Sequence, residues 1–462
     1  MVNLIAYGNF MEAYLIFDIG KTNKKAILYN PDFEILEESS MHVAEIQDDN
    51  GFPCDDLMKV SNWVLEVTEN FLTDPKYQVI GINFSAYGAS LVHVDEAGKV
   101  CTPFYNYLKP VPESLWEKFL AEEENLLQKT ASPALKMLNS GFQLYWLKHE
   151  KPELFKNIRS SFHLPQYFSF LLTGEKWNDY TGVGCHTCFW DFEKKDFAQW
   201  VKKTRIEKIL PPFPTETGVD KNLFGQHVKI GFGMHDSSAA LLPYIRLMDR
   251  PFILISTGTW SISLNPFDQQ TLTAEELESD CLSFLQPDGR KVKGARIFLG
   301  KEYEVQVNRI ASHFGENIER LQTLEFSQKR IISLFAANKK DVFSPISFQG
   351  SGPKVKWEGR ENPLDEFTNA EEACLQLMLD LAKWQQCSTD LVLGKSNVTD
   401  IILTGGFTKN KTFLAFLQLL YPNKKIYLSS QPRASALGAL LALDQSKLKQ
   451  DILRIKEFET GL

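Results

Sequence analysis

The stretch IGFGMHDSSAALLPYIRLMDRPFILISTGTWS, Ile230 to Ser261, decides the fold. An apolar strand bearing Val228, Ile230 and Phe232 passes a turn loosened by Gly231 and Gly233 and delivers His235 and Asp236 at its end. Small residues from Ser237 open a helix, and a second apolar strand, Phe252 to Ile255, runs into Ser256-Thr257-Gly258-Thr259. Ligands in α/β folds meet the ends of strands, so Asp236 is placed to touch one. The Thr-Gly-Thr turn leaves backbone N–H groups open to phosphate. Two plainer readings compete. Gly231-x-Gly233-x-x-Asp236 is a dinucleotide fingerprint without its third glycine, and an acid there would repel pyrophosphate. A structural Asp236, capping the N–H of Ser238 or Ala239, satisfies this stretch on its own.

Outward from this stretch, residues 14–18 form an apolar strand ending in Asp18, followed by Ile19-Gly20-Lys21-Thr22-Asn23. A second strand runs from Lys24 to Tyr29 and a third from Ile35 to Val43. Gly20-Lys21-Thr22 is no P-loop, because position 15 is Leu and a strand rather than a helix follows. The hairpin turn gathers a glycine, a hydroxyl, an amide and a lysine around one Asp, which suits phosphates and a hydrated magnesium. Taken alone, GKTN reads as a solvated turn. A helix over about 55–72 leads to strand Val79–Phe84, at whose end Tyr87-Gly88 offers a sugar platform or an ordinary turn.

Residues 112–215 read as a mainly helical insertion, with Gln143, Gln166, Tyr167 and the 178–190 loop its most ligand-like positions; Lys202 to Gly225 reads as connecting loop. The plan then repeats: strand–turn–strand over 262–300, a helix near Glu302, an irregular loop over 343–365. A helix from 369 to about 393 opens with a Thr368/Glu371 capping box. Strand 401–403 runs into Gly405-Gly406, a turn before helix 412–420, where backbone N–H groups and a helix dipole suit a nucleotide. Strand Ile426–Leu428 precedes a small-residue helix, Ala434 to Leu441.

A chain of 462 residues exceeds one core, so two domains are expected. A net charge of −8 with no long basic run argues against nucleic acid or an anionic membrane as partner. No stretch approaches the ~20 apolar residues that span a bilayer. The N-terminus has no signal-peptide pattern, and Met11 is an alternative start. Seven scattered cysteines fit a reducing, cytoplasmic location. Cys185-His186-Thr187-Cys188 is half a metal motif without a second half, and reads as packing.

Together and in this order, DIGKTNKK (18–25), GFGMHDSSAALLP (231–243), STGTWS (256–261), LTGGFTKN (403–410) and RASALGALLAL (433–443) resemble the FGGY family of carbohydrate kinases, over roughly 13–446. Its rhamnulokinase and fuculokinase branches are the most similar. The resemblance implies an α/β protein of two RNase H-like domains of the actin/hexokinase/Hsp70 type with an ATP cleft between them. The expected boundaries are a leader over 1–12, a sugar-binding domain over 13–245, a nucleotide-binding domain over 250–446 and a tail over 447–462. It makes Asp236 the catalytic base and Asp18 the contact to Mg²⁺ through water. Gly20, Lys21, Thr22, Asn23, Lys25, Gly258 and Thr259 would line the phosphates, Gly405, Gly406 and Asn410 the adenosine, and Gln306 the nucleotide. Tyr87, Gly88, Gln166, Tyr167, His235 and Ser237 would face the sugar. The implied reaction carries the γ-phosphoryl of ATP to a primary hydroxyl of a rhamnulose- or fuculose-like ketose. Alternatives are another substrate such as xylulose, ribulose or a polyol, or a non-catalytic nucleotide-gated sugar-binding protein. The expected partners are the sugar and ATP, with a second copy of the chain as a further candidate. Two segments depart from the family pattern: Phe104 to Lys109 replaces an Asp/Arg pair for sugar hydroxyls, and the 349–361 loop differs.

Overall fold

Leu15, Ile16 and Phe17 are consecutive and fully buried, the mark of a strand covered on both faces. They lie in β1 (Met11–Ile19), which pairs antiparallel with β2 (Lys24–Tyr29), itself antiparallel to β3 (Ile35–Met41). On its other side β1 runs parallel to β4 (Tyr77–Ala86), and β4 runs parallel to β6 (Gln226–Gly231) and to the short β7 (Met234–His235). An antiparallel β5 (Gly218–Leu223) closes that edge, giving the order β5-β6-β4-β1-β2-β3. The computed structural model describes residues 10–337, 340–348, 352–444 and 450–459.

Helix α1 (Leu57–Thr73) forms because Asp56 caps it, accepting from the Lys59 N–H at 3.1 Å, and because Leu57, Val60, Val64 and Val67 repeat at helical spacing. That stripe shares a core with Leu15, Phe17, Ile82 and Phe84. Each such aliphatic side chain contributes roughly 1.5–3 kcal/mol on burial, so Val64→Asp would break the layer. The 112–215 insertion holds α2 (Ser140–Glu150) and α3 (Leu164–Thr173), with short strands among its helices. Most of it has a separate aromatic core around Phe119, Phe142 and Trp200. Helix α4 (Asp236–Leu247) begins at the acid and contains Pro243.

The second sheet repeats the first. Strand β8 (Phe252–Thr257) is antiparallel to β9 (Ser261–Asn265), and β9 to β10 (Lys291–Ile297). On its other side β8 is parallel to β11 (Asp400–Gly405), β11 parallel to β12 (Lys425–Ser429), and β12 antiparallel to β13 (Ile455–Glu457). Six of its seven strands, in the order β13-β12-β11-β8-β9-β10, match the path of the first sheet, and a seventh, Cys281–Leu285, continues the sheet beyond β10. Helices α5 (Leu299–Phe314), α6 (Ala370–Leu393) and α7 (Lys411–Leu420) complete this half.

Several boundaries differ from expectation. The chain divides into a first unit of Met1–Arg246, Ser283–Arg290 and Arg433–Lys449 and a second of Leu247–Leu282, Lys291–Pro432 and Gln450–Leu462. The helix Ala434–Leu443 therefore packs with the first half, not the second. Met11 and Glu12, assigned to a leader, already belong to β1, while residues 1–9 lie outside the described ones. Part of the expected tail is β13; residues 445–449 and 460–462 lie outside the described ones. The supposed connecting loop contains β5, joined to β6 by Phe224 and Gly225, both at positive φ (48° and 84°). That is the backbone of a tight hairpin turn, here without the usual Asn-Gly signal. Helix α6 is capped by Asn369, whose side chain accepts from the Glu372 N–H, and not by Thr368. Among the described residues no helix is long and apolar enough to cross a membrane.

Candidate active site

Register brings the first unit's acids to one edge. Asp18 pairs across the ladder with Ser85 on β4; on the other side of β4, Met234 pairs with Ser85 and His235 with Ala86. Asp18, Ser85, His235 and Asp236 thus sit at the carboxyl ends of three adjacent parallel strands. Burial pushes the Asp18 carboxyl above its usual range; the Ser435 hydroxyl, donating to Oδ2 at 2.9 Å, draws it back, and the negative charge of Asp236 raises it again. The Ser85 hydroxyl and the Lys25 ammonium act in the lowering direction.

Asp236 is open by comparison. Its side chain is 35% exposed, accepts a 3.3 Å hydrogen bond from the Ser237 hydroxyl, and lies 3.5 Å from His235 Nε2. Among the described residues no Lys or Arg forms an ion pair with Asp18 or Asp236. Burial lowers the His235 pKa, favouring a neutral ring. That ring lies beside Gly88, where a Cβ would come within 2.9 Å of Nε2, and beside Cys185, whose Sγ is 3.4 Å from Nε2. The backbone N–H of His235 donates to Thr181 Oγ1 at 2.8 Å, and the Thr181 hydroxyl donates to Asp179. Cys188 is buried, which pushes its thiol up to about 12. Mg²⁺ takes few carboxylates and keeps several waters. Two acids at one edge, flanked by hydroxyls and without a cation bonded to either, fit that demand.

Other expected residues stand differently. Gly20 N–H donates to the Asn23 carbonyl at 2.8 Å, closing the hairpin, and Thr22 and Asn23 are exposed at its tip. Lys25 is at this edge, paired with Glu38 at 3.1 Å. Lys21 turns to Asp55 (2.5 Å) and Glu45 (2.9 Å), so these carboxylates, not a phosphate, neutralise its charge. Tyr87 is buried, and its hydroxyl donates to Asp55 Oδ2 at 2.6 Å; it is a wall of the core rather than an open sugar platform. Tyr167 is likewise a core residue, its hydroxyl 3.2 Å from that of Ser61 on α1. Gln166 is buried and donates to the Gly233 carbonyl at 3.1 Å, holding the turn that leads to His235. Gln143 is buried too, donating to the carbonyls of Ala89 and Met137. In the departing segment, Lys109 is buried in an ion pair with Asp48 at 2.5 Å. Of the 349–361 loop, residues 349–351 lie outside the described ones.

The second unit carries a cavity of about 420 Å³ lined by Gly258, Thr259, Gly406 and Asn410 together with Gly300 and Tyr303. Gly300 is required there: a Cβ would stand 1.9 Å from the Gly258 carbonyl oxygen. Gly405 has φ +86° and a Cβ on it would lie 1.8 Å from the Thr257 carbonyl oxygen, whereas one on Gly406 would meet nothing within 4 Å. Asn410 lines the cavity, but its amide is engaged, accepting from the Phe413 N–H at 2.9 Å and donating to Met378 Sδ. Gln306 is fully buried, donating to Glu302 Oε1 (2.7 Å) and the Ser344 carbonyl (3.1 Å), and accepting from Arg309 (2.9 Å). It lies inside the core and does not line the cavity, which corrects its assignment to the nucleotide. The sequence reading missed Ser85, Ser435, Gly300 and Tyr303. Only Gly300, in the first turn of α5 and next to Lys301, carried a local signal.

Residues 13–214 match the N-terminal domain of the FGGY family of carbohydrate kinases, and residues 249–451 match a carbohydrate kinase FGGY C-terminal domain. A rhamnulokinase of Halalkalibacterium halodurans is 28% identical over 200 residues, covering 40% of this chain and 41% of its own length. An L-fuculokinase of Escherichia coli is 23% identical over 270 residues, covering 54% and 56%. The chain thus spans about half the length of the curated relatives it matches. A crystal structure of a carbohydrate kinase from Novosphingobium aromaticivorans superposes with a TM-score of 0.82 at 24% identity, covering 98% of this chain and 96% of that one. The two α/β units therefore have the actin/hexokinase-type ATPase fold, and the chain belongs to the FGGY family of carbohydrate kinases.

Proposed function

We propose that the chain is an ATP-dependent kinase that phosphorylates a primary hydroxyl of a ketose, of the rhamnulose or fuculose kind. The observation that carries this reading is the pair of acids, Asp18 and Asp236, at the ends of neighbouring parallel strands, one enclosed and one open. The choice of sugar is drawn from the rhamnulokinases and fuculokinases among its relatives.

Phosphoryl transfer asks a protein for positioning and charge neutralisation more than for covalent chemistry. Among the described residues no Lys or Arg pairs with Asp236, so its carboxylate can accept the proton of the attacking hydroxyl, a role typically worth ~10²–10⁴ in rate. His235 and Gly88, packed against each other, form the adjoining wall for the sugar. In the second unit the Gly258 N–H is engaged by the Trp260 carbonyl at 2.8 Å. Thr259, beside it on the cavity wall, is therefore the residue that offers its backbone N–H to the phosphates, and Gly406 opens the nucleotide cavity. Mg²⁺, held at Asp18 through water, would neutralise the charge on the phosphate oxygens. Thr22, Asn23 and Lys25 line the same edge.

The test is ADP release on a panel of ketoses and polyols with MgATP. The expected result is stimulation by a 6-deoxyketose well above that by xylulose, ribulose or glycerol. No stimulation by any member of the panel would refute the kinase reading.

A further inference from the structure

The helix Ala434–Leu443 braces both acids of the first unit, although it enters the chain almost at its end. Ser435, in its first turn, donates to Asp18 Oδ2 at 2.9 Å across 417 positions of sequence. One turn on, Gly438 meets α4, the helix that begins at Asp236: a Cβ there would stand 1.8 Å from the Ala239 carbonyl oxygen. Pro243 explains why that carbonyl is available. It lies four residues after Ala239 and has no N–H to return, so the carbonyl loses its usual helical partner. A bare glycine lets the second helix approach it closely. The brace is anchored further on, where Asn83 Nδ2 donates to the Ala439 carbonyl at 2.6 Å and the Tyr14 hydroxyl donates to Asp444 at 2.8 Å. At its start, Arg433 grips Glu38 through Nε and Nη2, both at 3.0 Å.

We infer that Ser435 is a positioning residue for Asp18, and that its helix fixes the Asp18 carboxylate relative to the helix bearing Asp236. A carboxylate in a half-enclosed site rotates unless one oxygen is tied, and the serine hydroxyl supplies that tie. With Oδ2 held, Asp18 meets a hydrated cation in one orientation. The inference rests on the reading of Asp18 as the acid on the metal side.

The test compares wild type with Ser435→Ala, Ser435→Thr and Asp18→Ala. Two quantities are measured: the Mg²⁺ dependence of sugar-stimulated ADP release, and the calorimetric affinity for ADP with and without Mg²⁺. Alanine is a good helix former, so Ser435→Ala keeps the helix and removes only the hydroxyl. Its half-saturating Mg²⁺ should rise about tenfold, the scale of one hydrogen bond to a charged group. The gain in ADP affinity on adding Mg²⁺ should shrink by a similar factor, with the sugar KM and the Mg²⁺-free ADP affinity unchanged. Ser435→Thr, which keeps a hydroxyl, should return both towards wild type. The inference is overturned if Ser435→Ala responds to Mg²⁺ as wild type does while Asp18→Ala does not, or if Ser435→Thr is impaired as much as Ser435→Ala. If Asp18→Ala also responds as wild type, the metal reading of Asp18 falls with it.

Discussion

In the first unit the hairpin of β1 and β2 closes with the Gly20 N–H donating to the Asn23 carbonyl at 2.8 Å; in the second, that of β8 and β9 closes with the Gly258 N–H donating to the Trp260 carbonyl at the same distance. Two residues before the glycine stands Asp18 in one and Ser256 in the other. Over the six strands that the two paths share the order and directions are alike, so this difference at the matching hairpins is one of chemistry and not of topology. The first half acts through side chains, placing acids and hydroxyls where three strand ends meet. The second presents backbone, with Gly258, Gly300 and Gly406 lining its cavity and Gly405 giving room to the Thr257 carbonyl behind it. The two halves should therefore fail in different ways: the first by losing a functional group, the second by gaining a carbon atom.

The largest effect belongs to Asp236. Asp236→Ala should lower sugar phosphorylation at least ~10²-fold in a coupled assay, and turnover near wild type would remove it as the base. Next come the neighbouring glycines. Gly405→Ala should destabilise the protein by about 1–3 kcal/mol, read as a urea midpoint, because its φ is +86° and its Cβ would meet a carbonyl oxygen. Gly406→Val meets no neighbour at its Cβ, so it should keep stability and weaken ADP binding by intruding on the cavity. Equal behaviour of the two variants would contradict the geometry.

A smaller effect concerns Asp179, whose burial pushes its carboxyl up to about 6 from the ordinary 3.8. Between those values the folded protein binds the proton more tightly than the unfolded chain, so this contribution is full below pH 3.8 and is lost as pH rises through about 6. Asp179→Asn can accept the same hydrogen bonds from Thr181 and Gly182 without ionising. Relative to wild type it should gain stability as pH rises, by up to about 3 kcal/mol at neutral pH. A pH-independent difference would place the raised pKa elsewhere. Least affected in function is Gln306→Ala, which should cost about 1–3 kcal/mol of stability yet leave ADP affinity unchanged.

Strand ends were legible because two signals coincide there: an apolar run that stops, and a polar or glycine residue that follows. Asp18, Asp236, Thr257 and Gly405 all sit at such junctions, and the repeated plan could be read from them. Polar residues inside the fold gave no such signal. Tyr167 and Gln306 look like ligand-binding residues in one dimension, but Ser61, 106 positions away, meets Tyr167, and the Ser344 carbonyl joins Glu302 and Arg309 of the same helix around Gln306. Strand β5 was hidden because its sequence, GVDKNL, is polar at an edge and its turn uses Phe224. The small-residue helix was seen, but its allegiance was not. Alanines and Gly438 announce close packing without saying against what, and the contact from Ser435 to Asp18 exists only once the chain has folded.

The division of labour between the halves is tested most directly by ADP calorimetry on Asp236→Ala and Gly406→Val, each first shown to be folded. The account predicts that Asp236→Ala binds ADP as wild type does while Gly406→Val binds it markedly more weakly. The reverse order, or equal loss in both, would contradict it.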